Sequence, residues 1–279
     1  MTRGQAPEAS DDALLARARG GDRAALEALL VRHQPRVYRF GMKMCRDPED
    51  ASDVLQETLL TMARTVRDFR GASSVSTWLY TIARSFCIKK RRRSKFAPEA
   101  LESLEGELER DGSHPPDPAR GPEEELAGRQ IEAALEAAIS ALEPMNREVL
   151  VLRDIEGLTA PEAAEVLGIG VDAVKSRLHR ARVAVRNQVG PLLGVREAAP
   201  RVEGCPDVPL MFSRYLEGEI SPDVCARMER HLEGCGSCRG ACESLKRTLA
   251  LCRATPAPQV PDDVLRAVRE ALRTYLDAS

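Results

Sequence analysis

The residues best equipped for chemistry in this 279-residue chain are soft metal ligands near one end and clustered cations elsewhere. His231, Cys235 and Cys238 form a His-x3-Cys-x2-Cys run, and Cys205 lies 26 residues before the histidine. A histidine ending one helix and cysteines opening the next can hold three corners of a tetrahedral ion, and Cys205 closes the set as Cys3His. Thiolates with one imidazole suit zinc. Four protein ligands leave no corner for water, so the expectation is one structural zinc ion. A metal-free helical hairpin with buried thiols, or a disulfide pair, would use the same residues differently. Cys225, Cys242 and Cys252 have no assigned role. Cys242 and Cys252 lie near the apolar stripe of Leu245 and Leu249, where small buried residues are the simplest account, with a redox role for Cys242 as a second reading.

The cations fall into two groups. From Ala63 to Phe96 there are ten Lys/Arg against one acid, Asp68, and the run Ile88-Lys89-Lys90-Arg91-Arg92-Arg93 follows Trp78, Tyr80 and Arg84. A helix interleaving rings and cations suits melted DNA, with charges on phosphates and rings beside bases. The small polar loop Phe69-Arg70-Gly71-Ala72-Ser73-Ser74 just upstream could pocket an unstacked base. Trp78 itself falls on an apolar stripe and is expected to pack in the core. The second group is Ala173 to Gly190, with five basic residues and no acid. Both groups could instead be solvated helix faces.

The elements that position them read as helices. Ala51, Val54, Leu55, Thr58, Leu59 and Met62 recur at helical spacing, as do Val75, Trp78, Leu79, Ile82, Ala83 and Phe86. Thr159-Ala160-Pro161-Glu162 matches a capping box. Ala163, Ala164 and Leu167 then face inward, and Gly168 supplies a left-handed turn. A second helix follows from about Val171, burying Val174, Leu178, Ala181 and Val185. Asp172, Lys175, Ser176, Arg177, His179 and Arg180 are left outside, a set suited to a major groove. The pattern is that of a helix-turn-helix.

The fold class expected is all-α. Leu, Ala, Glu and Arg dominate, aromatics are 4%, and no long apolar run exists to span a bilayer. The start of the chain lacks an export signal, so a cytoplasmic location is expected, and clustered cysteines there point to metal before disulfides. Segments are expected at 11–96 (helical, basic at its end), 97–125 (acidic and proline-rich linker), 126–190 (helix-turn-helix), 191–204 (connector), 205–255 (metal-binding helices) and 256–279 (amphipathic tail, expected to pack on the metal-binding helices). The linker carries ten acids against Arg110 and Arg120, a reversal of charge that the net −2 conceals.

Two stretches carry a family resemblance. Asp47 to Thr58 followed by Ser76 to Arg84 looks like the second region of extracytoplasmic-function sigma factors, and Leu158 to Arg182 resembles their fourth region. Ser85, Gly170 and Asp172 depart from the residues usual in those positions. The resemblance implies that residues 11–96 open and read the minus-ten promoter element through Arg70, Tyr80, Arg84, Lys89, Lys90, Arg91, Arg92 and Arg93. Residues 126–190 would read the minus-thirty-five element through the exposed set just named. Asp53, Gln56 and Glu57 would dock on the coiled-coil clamp of the large subunit of core RNA polymerase. The cysteine-rich segment, with Tyr215-Leu216-Glu217-Gly218-Glu219-Ile220-Ser221-Pro222, resembles the zinc-binding anti-sigma fold. Attached in cis, such a module is held at high local concentration, so intramolecular contact with the sigma domains is an expectation.

No glycine-rich phosphate loop, Ser/His/Asp set or open metal site is present, which argues against an enzyme. The alternative from another class is a one-component helix-turn-helix regulator that binds duplex DNA without polymerase. A repressor needs no strand-opening helix, so Trp78 to Arg93 separates the two. A purely inhibitory binding protein is a third reading, suited to the metal-binding segment alone.

Overall fold

A computed structural model describes residues 9–71, 73–96, 122–193 and 204–278. These residues form twelve α-helices and no strand. The chain divides into two compact units. The first is built from the chain up to Arg91, Val151–Val174 and the segment from Thr255 onward; the second from Arg92–Leu150 and Lys175–Ala254.

In the first unit, α1 (Asp11–Arg19) and α2 (Arg23–Cys45) start at Ser10 and Asp22, whose side chains accept the Ala13 and Ala25 amides. Helix α3 (Pro48–Thr65) starts as its sequence suggests: Asp47 caps the Asp50 amide and Pro48 occupies the first turn. Its stripe of Ala51, Val54, Leu55, Thr58, Leu59 and Met62 is buried against α2. Gly41 of α2 permits the close approach, because a Cβ there would stand 3.1 Å from the Ala51 Cα. Helix α4 (Val75–Phe96) buries Val75, Leu79, Ala83 and Cys87. Trp78 is only half-buried and stacks on Phe69 at 4.4 Å.

Segment 151–174 supplies the turn before the helix-turn-helix and its first helix. One π-helical turn spans Val151–Ile155, with the Glu156 amide donating to the Val151 carbonyl at 2.8 Å. Thr159 then caps α7 (Ala160–Leu167) in the capping box expected, and Gly168 closes it at φ +67°. Helix α8 (Val171–Val189) follows.

The final helix, α12 (Asp262–Ala278), belongs to this first unit and not to the metal-binding helices on which the tail was expected to pack. It lies along α3, burying Val268 and Leu272, and the Arg64 guanidinium stands 5.8 Å over the Tyr275 ring. Its apolar stripe reads equally well against either partner, so periodicity alone could not choose.

In the second unit, α5 (Pro122–Ala141) begins inside the segment expected to be linker, since a proline followed by three glutamates makes a good helix start. The rest of that segment, 97–121, lies outside the described residues, as do 194–203 of the connector. Glu143-Pro144 breaks the run as expected, and α6 (Pro144–Leu150) follows. Buried Arg147 secures the corner by donating to the Ser140 and Leu142 carbonyls at 3.0 and 3.1 Å. After a short 3-10 turn at Gly190–Leu193 come α9 (Val208–Leu216), α10 (Pro222–Gly234) and α11 (Gly236–Ala254). Val208, Phe212, Cys238, Cys242, Leu245 and Leu249 make their common core.

Candidate nucleic-acid interface and metal centre

The described cations of α4 and of the loop before it are unevenly available. Arg70, Lys89 and Arg92 are exposed, and Arg84 and Arg91 are half-buried. Lys89 Nζ lies 4.7 Å from the Phe86 ring centroid. Lys90 bonds both Asp53 and Asp50, the latter at 2.9 Å, which raises its pKa. A cation expected to face DNA and an acid expected to face polymerase are thus paired with each other. Gln56 is half-buried and Glu57 exposed. The side chain of Arg93 lies outside the described residues.

Tyr80 corrects an expectation. It is fully buried, not on the DNA-facing surface, and its hydroxyl donates to Glu156 Oε2 at 2.5 Å. Its ring lies 5.3 Å from Phe40, and burial, with the Glu156 charge, pushes the phenol well above its usual pKa. Glu156 is the hub that spacing missed. Its side chain has no solvent exposure, and it also accepts from Arg39 Nε at 2.7 Å, Arg39 Nη2 at 2.8 Å and Arg36 Nε at 3.4 Å. Arg36 Nη2 takes the Glu156 carbonyl at 2.9 Å, and Arg39 Nη1 reaches the Thr255 carbonyl at 3.2 Å. Nearby, Glu162 accepts from Ser74 at 2.8 Å, so the first turn of α7 meets the loop that precedes α4. Two arginines spaced i, i+3 on α2 were the available signal, but nothing in sequence places their partner 117 residues away.

Helix α8 buries Val174, Leu178, Ala181 and Val185 as expected. Asp172, Ser176 and Arg180 are exposed. Arg177 is half-buried beside Asn146 at 3.5 Å and Glu143 at 3.7 Å. His179 is half-buried, and burial lowers its pKa. Lys175 is engaged by Glu219 at 2.5 Å. The residue sequence reasoning missed is Arg182, at 2% exposure one of the largest buried side chains. It donates to Ser213 Oγ at 2.9 Å and Glu217 Oε1 at 3.1 Å, both on the α9 end of the cysteine-rich module. Arg186 reaches Ser244 of α11 at 3.3 Å. Lys175, Arg182 and Arg186 stand at i, i+7 and i+11 and so share one face.

The metal set assembles as spacing predicts. One ligand atom each from Cys205, His231, Cys235 and Cys238 lies within 4.8 Å of the others. His231 lies in the last turn of α10, Cys235 caps it, and Cys238 sits in the first turn of α11. The Cys205 and Cys235 sulfurs are 3.9 Å apart, against about 3.8 Å for two thiolates on a tetrahedral zinc with bonds of about 2.3 Å. His231 Nε2 is buried with no hydrogen-bond partner among the described residues, which fits a nitrogen that ligates an ion. Hydrogen bonds from the Cys238 amide and thiol lower the Cys235 pKa, while burial and the neighbouring thiols push Cys238 up to about 12. Such a cluster holds its charge only with a cation among it. Cys242 and Cys252 are buried small residues as expected, and burial raises the Cys242 thiol, which argues against a reactive role.

The sigma-70 region 2 family matches residues 29–96, the sigma-70 region 4 family matches 132–185, and a zinc-finger family matches 210–239. The chain is similar to the RNA polymerase sigma-H factor of Pseudomonas aeruginosa, 32% identical over 67% of this chain and 97% of that one. It is also 32% identical to the ECF RNA polymerase sigma factor SigM of Mycobacterium tuberculosis, over 66% of this chain and 87% of that protein. Among solved structures, CnrH in complex with the cytosolic domain of CnrY overlaps 67% of this chain and 98% of its own, at 26% identity and a TM-score of 0.47. No described helix is long and apolar enough to cross a membrane.

Proposed function

This chain belongs to the sigma-70 family as an RNA polymerase sigma factor of the extracytoplasmic-function type, which directs promoter-specific initiation, and from that premise we propose how its parts divide the work. Arg70, Arg84 and the run Lys89 to Arg93 hold the melted minus-ten strand. Asp172, Lys175, Ser176, Arg177, His179 and Arg180 of α8 read the minus-thirty-five duplex. Asp53, Gln56 and Glu57 meet the polymerase clamp, so Lys90 exchanges its acids for phosphate on assembly. One zinc ion fills the Cys205, His231, Cys235 and Cys238 set. Held by these four residues, the ion would tie the approach to α9, the end of α10 and the start of α11 together as a structural cross-link.

The cysteine-rich module acts in cis as an inhibitor of α8. The observation that carries this is the hold on the helix's cationic face: Lys175 on Glu219, Arg182 on Glu217 and Ser213, Arg186 on Ser244. Phosphate neutralisation needs the Lys175 charge unpaired, so its bond to Glu219 competes directly with DNA, while the Arg182 and Arg186 contacts seat the module beside it.

Mapping the 5′ ends of transcripts made by core polymerase with this protein tests the reading. Start sites are expected to share a two-part upstream motif; a distribution indistinguishable from core enzyme alone rejects it. Arg180→Ala is expected to weaken binding of the upstream duplex by about 5- to 150-fold, the about 1–3 kcal/mol of one base contact, and to leave polymerase association unchanged.

A further inference from the structure

Cys45 and Cys87 stand apart from the metal set in chain position and in chemistry. Cys45 is the last residue of α2, half-buried, and Cys87 is buried on the inner face of α4 at 1% exposure. Their sulfurs are 3.5 Å apart although the residues are 42 positions apart in sequence. A disulfide needs about 2.05 Å between sulfurs, so closing the pair asks for an approach of about 1.5 Å, within reach of side-chain adjustment at a helix end. The surroundings favour a reactive sulfur at one position. The hydrogen bond between the two sulfurs, with positive charge from Arg91 and Lys90, outweighs burial and Asp50 to lower the Cys45 pKa. One thiol is therefore reachable and poised while the other is shielded behind it. That is the arrangement of an attacking and a resolving cysteine.

We propose that Cys45 and Cys87 form a peroxide-oxidisable dithiol that staples the end of α2 to α4. The Cys45 thiolate attacks one oxygen of hydrogen peroxide. The O–O bond breaks, the second oxygen leaves and is protonated to water, and Cys45 carries a sulfenic acid. Cys87 then attacks that sulfur, the S–O bond breaks, and its oxygen leaves as a second water. Two thiols and one peroxide thus become one disulfide and two waters, with the two electrons drawn from the two sulfurs. Cys87 lies three residues before Lys90, so the staple fixes the root of the cationic run in α4. The inference rests on this pair alone and does not depend on what α4 binds.

The test uses the full chain loaded with zinc, freed of reductant, and exposed to one equivalent of hydrogen peroxide. Remaining thiols are then blocked by alkylation in denaturant and the protein is digested without reduction. The expected result is a Cys45–Cys87 linked peptide, with both thiols lost together and the oxidised chain melting several degrees higher than the reduced one. In Cys87→Ser, Cys45 should instead accumulate a sulfenic acid trapped by dimedone, a product that a merely structural thiol would not give. Recovery of both cysteines fully alkylated overturns the proposal. So does Cys45 linked to any other cysteine, or an untrapped Cys45 in the Cys87→Ser chain.

Discussion

Replacing Cys238 with serine should empty the metal site and unfold α9, α10 and α11 as a group. Structural zinc contributes about 10–16 kcal/mol of apparent binding free energy at neutral pH in small zinc modules, and losing one of four ligands forfeits most of it. The module has little else to hold it. Its core is Val208, Phe212, Cys238, Cys242, Leu245 and Leu249, and Cys238 belongs both to that core and to the ligand set. Bound zinc measured by atomic absorption should fall from one ion per chain to near zero, with amide protection lost across residues 208–254. The sign of the pH dependence follows. Zinc binds thiolates, so the bound state holds fewer protons than the unfolded thiols, and its stabilisation is present at neutral pH and lost as pH falls. A Cys238→Ser chain that keeps one zinc and its protection pattern would exclude Cys238 as a ligand.

Glu156→Ala should cost the first unit about 3–5 kcal/mol, a loss of the size seen when one partner of a buried charged network is removed. Two guanidiniums and a phenol converge on a carboxylate with no solvent exposure. Without it, Arg39, whose side chain is only 12% exposed, keeps its charge with its principal acid gone. Tyr80, buried, is left with an unsatisfied hydroxyl. Glu156→Gln retains the volume and one acceptor but loses the charge, so it should fall between the parent and the alanine variant. Because these contacts join α2 and α4 to the turn before α7, hydrogen exchange at 151–158 should accelerate more than exchange within α3. Denaturant unfolding of the three proteins gives the comparison. Equal midpoints would mean that the network contributes nothing net.

How much of this was readable beforehand depended on the range of the interaction. Local chemistry was legible. The Thr159 capping box, the Gly168 turn, the Asp47-Pro48 helix start and the His-x3-Cys-x2-Cys ligand run each involve residues a few positions apart, where backbone geometry dictates the residue type. The buried stripe of α8 was legible for the same reason, since a helical period fixes which residues share a face. What sequence reading placed wrongly was decided by distant parts of the chain. Tyr80 looks like a surface ring until Glu156, 76 residues later, covers it. The α12 stripe fits any apolar partner, and its partner is α3. Arg182 reads as one more cation on a basic helix, whereas Glu217 and Ser213 bury it. An ion pair between segments distant in sequence leaves no periodic trace, because neither partner's neighbours are constrained by it.

The proposed inhibition of α8 by the cysteine-rich module rests on the bonds from Lys175 and Arg182 to Glu219 and Glu217. The most direct measurement is promoter-specific run-off transcription by core polymerase with the intact chain and with Glu217→Gln/Glu219→Gln, which weakens the grip on Arg182 and Lys175 without removing zinc ligands. Both proteins should start at the same sites, with the variant yielding about tenfold more transcript, the equivalent of about 1.4 kcal/mol of masking relieved. Equal yields from the two, at equal polymerase occupancy, would contradict the account.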